Sequence, residues 1–454
     1  MMLPPRFIAV LDIGKTNVKL VGHDLDIGQD FFVRSKPNIV LRDGLYPHFD
    51  IEKIWEFLLT SLGELRWEQP IEAISITTHG ASAALIDEAV LVLPVLDYEH
   101  PGPDELAAEY DRLRPPFEES FSPRLPGGLN LGAQLYWQQQ RFPAEFARAT
   151  AILTYPQYWA WRLTGVASNE ATSLGCHTDL WQPAKGQPSS LAISQGWVDK
   201  LAPLHLAFDA LGPVKPEIAA LIGLAGPVPV YCGIHDSNAS LLPHLLAAEA
   251  PFSVVSTGTW AVLFAVGGKV AGLDPARDTL VNVDAFGRPV PSARYMGGRE
   301  FDLMTDGKPV TPDQATVSAV LEGAMAFPAF APGTGPFPTA VGRWTQDDLS
   351  PMARTAVASL YAALMTEVCL ELLGADGPTV IEGPFARNAL YREALAAATG
   401  RPVQASESAT GTSAGAAQLV RRKEKAAPIP TPPFQYDLSG FQRYRKLWRA
   451  GLPQ

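Results

Sequence analysis

Asp12-Ile-Gly-Lys-Thr-Asn17, with Lys19 just beyond, gathers a carboxylate, a glycine, a hydroxyl, an amide and two ammonium groups in one short stretch. A glycine lets backbone amides close on an anion, and the hydroxyl and ammonium groups add donors and charge. The Asp12 carboxylate, at the end of an apolar run, suits water-mediated binding of Mg2+. Gly-Lys-Thr invites a P-loop reading, which fails: the first required glycine would fall at residue 9, an alanine, and the residues after the turn are strand-like rather than helical. A decorated hairpin turn is the structural alternative. Ser256-Thr-Gly-Thr259 is a second turn of the same kind, and two such turns could grip a polyphosphate from both sides.

Three further constellations carry candidate chemistry, and a lone histidine joins them. Gly233-Ile-His-Asp236-Ser-Asn places an aspartate where it either caps a helix or serves as a general base for an alcohol. Ile381-Glu-Gly-Pro-Phe-Ala-Arg-Asn388 reads as a strand, a glycine turn and a helix start, a candidate wall for a purine with Asn388 donating to the base. The small-residue run Ala409-Thr-Gly-Thr-Ser-Ala-Gly-Ala-Ala417 would let backbone approach a nucleotide, or let helices pack closely. In Thr78-His79-Gly80 a histidine at a strand end can bond sugar hydroxyls or stand as a satisfied structural residue.

The elements that must position these groups follow an α/β scheme. Phe7-Ile-Ala-Val-Leu and Val18-Lys-Leu-Val-Gly flank the first turn as a hairpin, and Phe252-Ser-Val-Val and Trp260 to Val266 flank the second. The chain therefore holds one pattern twice, once near the start of each half. Ala73 to Thr77, Pro229 to Cys232 and Pro378 to Glu382 read as buried strands that end at the candidate residues. Helices are expected over Gln134 to Gln140, Gln157 to Leu163 (stopping at Thr164-Gly165), Thr355 to Leu373 and Asn388 to Ala398. Phe327 to Pro338 reads as an ordered loop, and Ala426 to Phe434 as a Pro-rich connector before a short terminal helix.

With 454 residues the chain exceeds one ordinary core, so two domains are expected. A hydrophobic share of 47% and a charged share of 18% are globular values. The formal charge of −11 repels phosphate backbones and anionic lipid, which argues against nucleic acid or membrane as a partner. Cys176, Cys232 and Cys369 form no metal spacing and no even framework, which fits a reducing cytoplasm. The start, Met-Met-Leu-Pro-Pro-Arg, runs directly into a strand, so no export signal is read. The apolar Thr355 to Leu373 stretch carries Glu367 and Glu371 and reads as a packed helix rather than a membrane span.

Taken in order, these motifs resemble the FGGY carbohydrate kinases, a group that includes glycerol, xylulose, rhamnulose and fuculose kinases. Asp12 to Asn17 resembles the first phosphate motif, Ile74 to Gly80 the first sugar-contact loop, and Trp161-Arg-Leu-Thr-Gly165 the helix-ending segment. Gly233 to Asp236 resembles the segment of the catalytic aspartate, Ser256 to Thr259 the second phosphate motif, and Gly383 to Pro402 the adenosine segment. The resemblance implies an α/β fold of two ribonuclease H-like (actin/hexokinase-type) domains with an interdomain cleft. Residues 1–246 would bind sugar and 247–454 would bind ATP. It implies that Asp236 deprotonates the sugar hydroxyl and that Asp12 and Asp236 organise Mg2+. Gly14, Lys15, Thr16, Asn17, Lys19, Gly258 and Thr259 would hold the triphosphate. Gly383, Phe385 and Asn388 would line the adenine site, and Thr78, His79 and Asp97 would touch the sugar. A cytoplasmic enzyme is the expectation; the sequence gives no oligomeric state, and a homodimer is left open because related kinases are often dimers.

The chain also departs from the family pattern. Lys15 stands where relatives often have Thr or Ala, and Lys19 where Arg is usual. Pro384 replaces the second glycine of the adenosine segment, and Tyr98-Glu99-His100 replaces the commoner Trp- or Arg-containing sugar segment. The residues around Thr172 to Asp179 look closer to deoxyketohexose kinases than to glycerol kinase, which favours L-rhamnulose or L-fuculose over pentuloses and polyols. Other readings remain: an actin- or chaperone-like ATPase, which the sugar-loop candidates argue against, and a sugar sensor, which would carry an added DNA-binding helix-turn-helix. An Asp12 phosphohydrolase would want a second acid at residue 14, which is glycine.

Overall fold

The computed structural model describes residues 4–406, 411–421 and 434–453. Residues 1–3, the Ala409-Thr410 start of the small-residue run and 426–433 of the Pro-rich connector lie outside the described residues. The chain divides into two compact units. One is Met1–Ala247 with Val281–Pro289 and Thr410–Lys425; the other is Ala248–Leu280 with Val290–Ala409 and Ala426–Gln454.

In the first unit, strands Phe7–Ile13 and Asn17–Asp24 form the expected antiparallel hairpin, in register from Ile13↔Val18 to Phe7↔Asp24. Gln29–Pro37 adds antiparallel to its outer edge. Ala73–Thr78 pairs parallel to Phe7–Ile13 on the other side, and Pro229–Tyr231 lies parallel beyond it. The central strands are buried almost throughout, as expected when both faces of a sheet are covered. Alternation sorts their side chains. Ala9, Leu11, Ile13, Ile74 and Ile76 face a core that includes residues of helices Ile51–Leu65 and Tyr155–Thr164. Ile8, Val10 and Ala73 face residues of helices Asp236–Ala247 and Thr412–Ala417.

Local chemistry explains these helices. Asp50 caps Ile51–Leu65 by accepting from the Lys53 N–H, and Ile51, Ile54, Leu58, Leu62 and Leu65 repeat at helical spacing to bury one stripe. Each such side chain contributes about 1.5–3 kcal/mol by leaving water. Tyr155–Thr164 stops at Gly165, whose φ of 82° is the left-handed conformation the Thr-Gly pair signals. Gly415 lets helix Thr412–Ala417 lie against Asp236–Ala247, because a Cβ there would meet the Ala239 carbonyl oxygen at 1.8 Å.

The second unit repeats the plan. Phe252–Thr257 and Ala261–Val266 form an antiparallel hairpin, Pro289–Tyr295 extends it antiparallel, and Thr379–Glu382 and then Val403–Ala405 add parallel strands on the far side. Strand order and pairing sense thus match the first unit, although the sequences barely do. Helix Pro351–Leu372 is long and apolar enough to cross a membrane by composition, but 89% of that window is buried inside the protein. It packs against helices Ala389–Thr399 and Gly297–Thr305 as the spine of this unit.

Candidate functional site

The carboxyl ends of parallel strands deliver the first unit's polar residues to one place. Asp12 pairs in register with Thr77, and His235 with Thr78, so Asp12, His79 and Asp236 all emerge at the same edge of the sheet. Carboxyl ends of parallel strands are where ligands bind in such sheets. The turn after Asp12 is pinned by its own backbone and by Asn38. The Gly14 N–H donates to Asn17 O (2.9 Å), and Asn38 Nδ2 donates to Gly14 O (2.8 Å). The Asp12 carboxylate is held by the hydroxyls of Thr412 (2.7 Å) and Ser413 (2.6 Å), with the Lys19 ammonium at 3.9 Å.

Asp236 begins helix Asp236–Ala247. Burial lifts its carboxyl to about 6, the charge of Asp12 adds to the rise, and His79 and the Ser237 N–H at 2.6 Å oppose it. Its side chain keeps 30% exposure, which leaves a face for an incoming hydroxyl. His235 Nε2 lies 3.2 Å from Asp236 Oδ1. Burial holds His235 neutral, down to about 4. With Nδ1 accepting from Asn238 Nδ2 at 3.4 Å, the proton stands on Nε2 and points to the aspartate. The His235 N–H donates to Thr172 Oγ1 (3.0 Å), and that hydroxyl donates to Glu170, whose carboxyl burial pushes up to about 7. A chain of three residues therefore fixes the backbone just before Asp236.

His79 lies in a ring of aromatic groups, with Phe49 at 5.0 Å, Tyr155 at 4.9 Å and Tyr98 at 5.4 Å between centroids. Burial lowers its pKa to about 4. Its Nδ1 lies 2.8 Å from Gly80 O, which can only accept, so the proton sits on Nδ1. Nε2 is then an acceptor, and it is buried without a partner. Thr78 is different: fully buried, with its hydroxyl donated to His79 O, it supports the loop rather than presenting a hydroxyl. Lys15, expected among the phosphate contacts, has its ammonium on the Asp97 carboxylate and 3.3 Å from Glu99 Oε2. Thr16 and Asn17 stay exposed at the turn and bond each other, Asn17 Nδ2 to Thr16 Oγ1 at 3.1 Å.

The second unit holds a cavity of about 620 Å³ by itself. Gly258, Thr259, Phe385 and Asn388 line it, joined by Phe301, Asp302, Thr355, Arg387, Gln435 and Tyr436. Gly383 has φ of 75°, and a Cβ there would meet Thr257 O at 1.9 Å, so only glycine lets the strand end cross the second turn. Thr257 ties the two segments: its hydroxyl donates to Glu382 O and accepts from the Phe385 N–H (3.1 Å). Pro384 opens a 3-10 turn, Pro384–Arg387, where a missing N–H removes no intrahelical bond. Asn388 caps helix Ala389–Thr399 by accepting from the Tyr391 N–H, and its amide donates to Ser359 Oγ (2.9 Å). Its polar groups are thus engaged in the wall of the cavity.

Sequence reasoning passed over His235, although Gly-Ile-His-Asp was in view, because its role depends on the proton position that Asn238 sets. It also passed over Phe49, which packs against His79, and Tyr436, which lines the cavity of the second unit.

Two α/β units of one strand order, with acids at the strand ends of the first and a cavity beside the hairpin turn of the second, define the two-domain actin/hexokinase-like kinase fold. Residues 249–428 match the family described as carbohydrate kinase FGGY, C-terminal domain. The chain is 37% identical to a carbohydrate kinase from Novosphingobium aromaticivorans whose crystal structure it matches with a TM-score of 0.91, over 99% of this chain and 98% of that one. It is 24% identical to an L-fuculokinase of Salmonella typhi over 91% of each chain. A xylulose kinase from Rhodospirillum rubrum shares the fold at 19% identity and a TM-score of 0.76, over 98% of both chains. The chain belongs to the FGGY carbohydrate kinase family, and it is a sugar kinase.

Proposed function

We propose that the second unit holds ATP in its cavity and that the γ-phosphoryl group passes to a hydroxyl of a small ketose held by the first unit, with L-fuculose and L-rhamnulose phosphorylation favoured. The observation that carries the reading is Asp236: a carboxylate lifted to about 6, oriented by His235 and open on one face. Such a group can take the proton of an alcohol as the oxygen attacks phosphorus, and phosphoryl transfer asks for little else beyond positioning. His79 Nε2 accepts a second hydroxyl and orients the sugar. The ketose choice is supported by the L-fuculokinase relative and by the Thr172 to Asp179 segment.

Mg2+ fits the residues present. Asp12 and Asp236 are hard oxygen donors close enough to feel each other's charge, and among the described residues no cluster of three or more His, Cys, Asp or Glu could hold a metal alone. That suits an ion that keeps water and takes phosphate oxygens. When bound it would neutralise charge on the triphosphate; Asp12, held by Thr412 and Ser413, would keep its place whether or not the ion is there.

The test is Asp236→Asn. Sugar-dependent ADP formation should fall by at least about a thousandfold while ADP still raises the melting temperature. Turnover near the wild-type rate in that variant ends the assignment.

A further inference from the structure

We propose that Lys15 reads the sugar of this enzyme rather than its phosphate, as a donor beside the Asp97 acceptor that the family resemblance already assigns to the sugar, and that the site discriminates against sugar acids. The inference rests on the kinase reading above.

The pair sits between two aromatic rings. Phe49 and Tyr98 present their rings to the ammonium at 5.1 and 4.9 Å. The same two rings flank His79, whose buried Nε2 has no partner. A buried nitrogen left without a bond marks a place for an incoming donor. Lys15 is 17% exposed and Asp97 only 6%, so the pair is largely removed from water yet open at one side. Asp97 Oδ1 accepts from the ammonium and from the Glu99 N–H (3.2 Å). Oδ2 takes none of the side-chain hydrogen bonds among the described residues. Lys15 has three N–H donors and two carboxylate partners. One free acceptor beside one free donor matches adjacent hydroxyls, each of which both donates and accepts.

Two observations separate this role from phosphate binding. Lys15 is already held by two carboxylates, whereas Lys19 is 44% exposed and only 3.9 Å from Asp12. Charge then narrows the substrate. The single ammonium faces Asp97 and Glu99, and the Asp236 charge is felt at His79, beside the same rings. A sugar acid would bring another negative charge into a site where carboxylates already outnumber cations.

The experiment is a coupled ADP-release assay on neutral ketoses, polyols and aldonates, run on the wild type, Lys15→Gln and the double variant Lys15→Gln/Asp97→Asn. The double variant replaces the ion pair with a neutral one and keeps the comparison alive should the single variant leave Asp97 unpaired and unfold. Both variants should raise KM for the best sugar about tenfold or more and leave KM for ATP within about twofold. In the wild type, deoxygenation at either of two adjacent carbons should weaken binding, and Lys15→Gln should erase the difference at one of them. A rise in KM for ATP with sugar KM unchanged overturns the proposal, as does an aldonate that outperforms every neutral sugar. A sugar that is phosphorylated with both KM values unmoved in the variants sinks this inference alone. Failure of every sugar to elicit ADP from the wild type sinks the kinase reading with it.

Discussion

A carboxylate that takes a proton from an alcohol works best when its own acidity lies near the working pH. Asp236, lifted by burial to about 6, meets that condition without a second base. The ionised form must be present for transfer, so kcat/KM should fall about tenfold per unit as pH drops below about 6, measured at fixed saturating nucleotide. Ser237→Ala removes one donor that stabilises the ionised form, so the acidic limb should move to higher pH while the limiting rate stays. The aspartate stood out in the sequence through its place in the Gly233 to Asp236 segment, where an acid could equally cap a helix. His235 was not, since its usefulness depends on which ring nitrogen carries the proton, and that is decided by Asn238 in three dimensions. Lys15 was legible as a cation and misplaced as to partner, because Asp97 lies 82 residues away.

At the scale of elements, the loop before Asp236 stands on Glu170. Its carboxyl has a usual pKa near 4.5 and is pushed to about 7 when folded. Between those values the folded chain holds a proton that the unfolded chain releases. The stability this confers is complete below about 4.5 and is lost as pH rises through about 7. Glu170→Gln removes this contribution, so the stability of the wild type relative to that variant should decline from pH 5 to pH 8, by an amount on the order of a few kcal/mol, read from paired denaturation midpoints. The junction at Gly383 admits a sharper test. Gly383→Ala drives a methyl into Thr257 O and asks alanine for a positive φ, so ADP binding should weaken more than tenfold in fluorescence titration. Some of the longer elements were readable from periodicity, Phe7–Ile13 and Pro351–Leu372 among them, whereas the strand Gln29–Pro37 and the helix Ile51–Leu65 were not read. Two-residue pairings such as Asn169–Glu170 with Leu204–His205 were not, because they exist through their partners rather than through local preference.

At the scale of the molecule, the chain does not finish one unit before starting the other. The first unit draws Val281–Pro289 and Thr410–Lys425 from far along the sequence, and Ala285, Ala416, Ala417 and Leu419 sit in its core. A fragment ending at residue 247 should lack a cooperative thermal transition and bind an extrinsic apolar dye, in contrast to the full chain. The duplicated strand order was visible as two similar hairpins, whereas these returns of the chain have no local signature. They have a consequence for biosynthesis. Asp12 leaves the ribosome early, but the hydroxyls that hold it belong to residues 412 and 413, 400 and 401 positions later. At ordinary elongation rates that wait is on the order of 20–80 s. Through that interval the nascent first sheet carries an incompletely covered face and an unanchored acid, so a chaperone's protection is most needed until residues 412 and 413 have emerged.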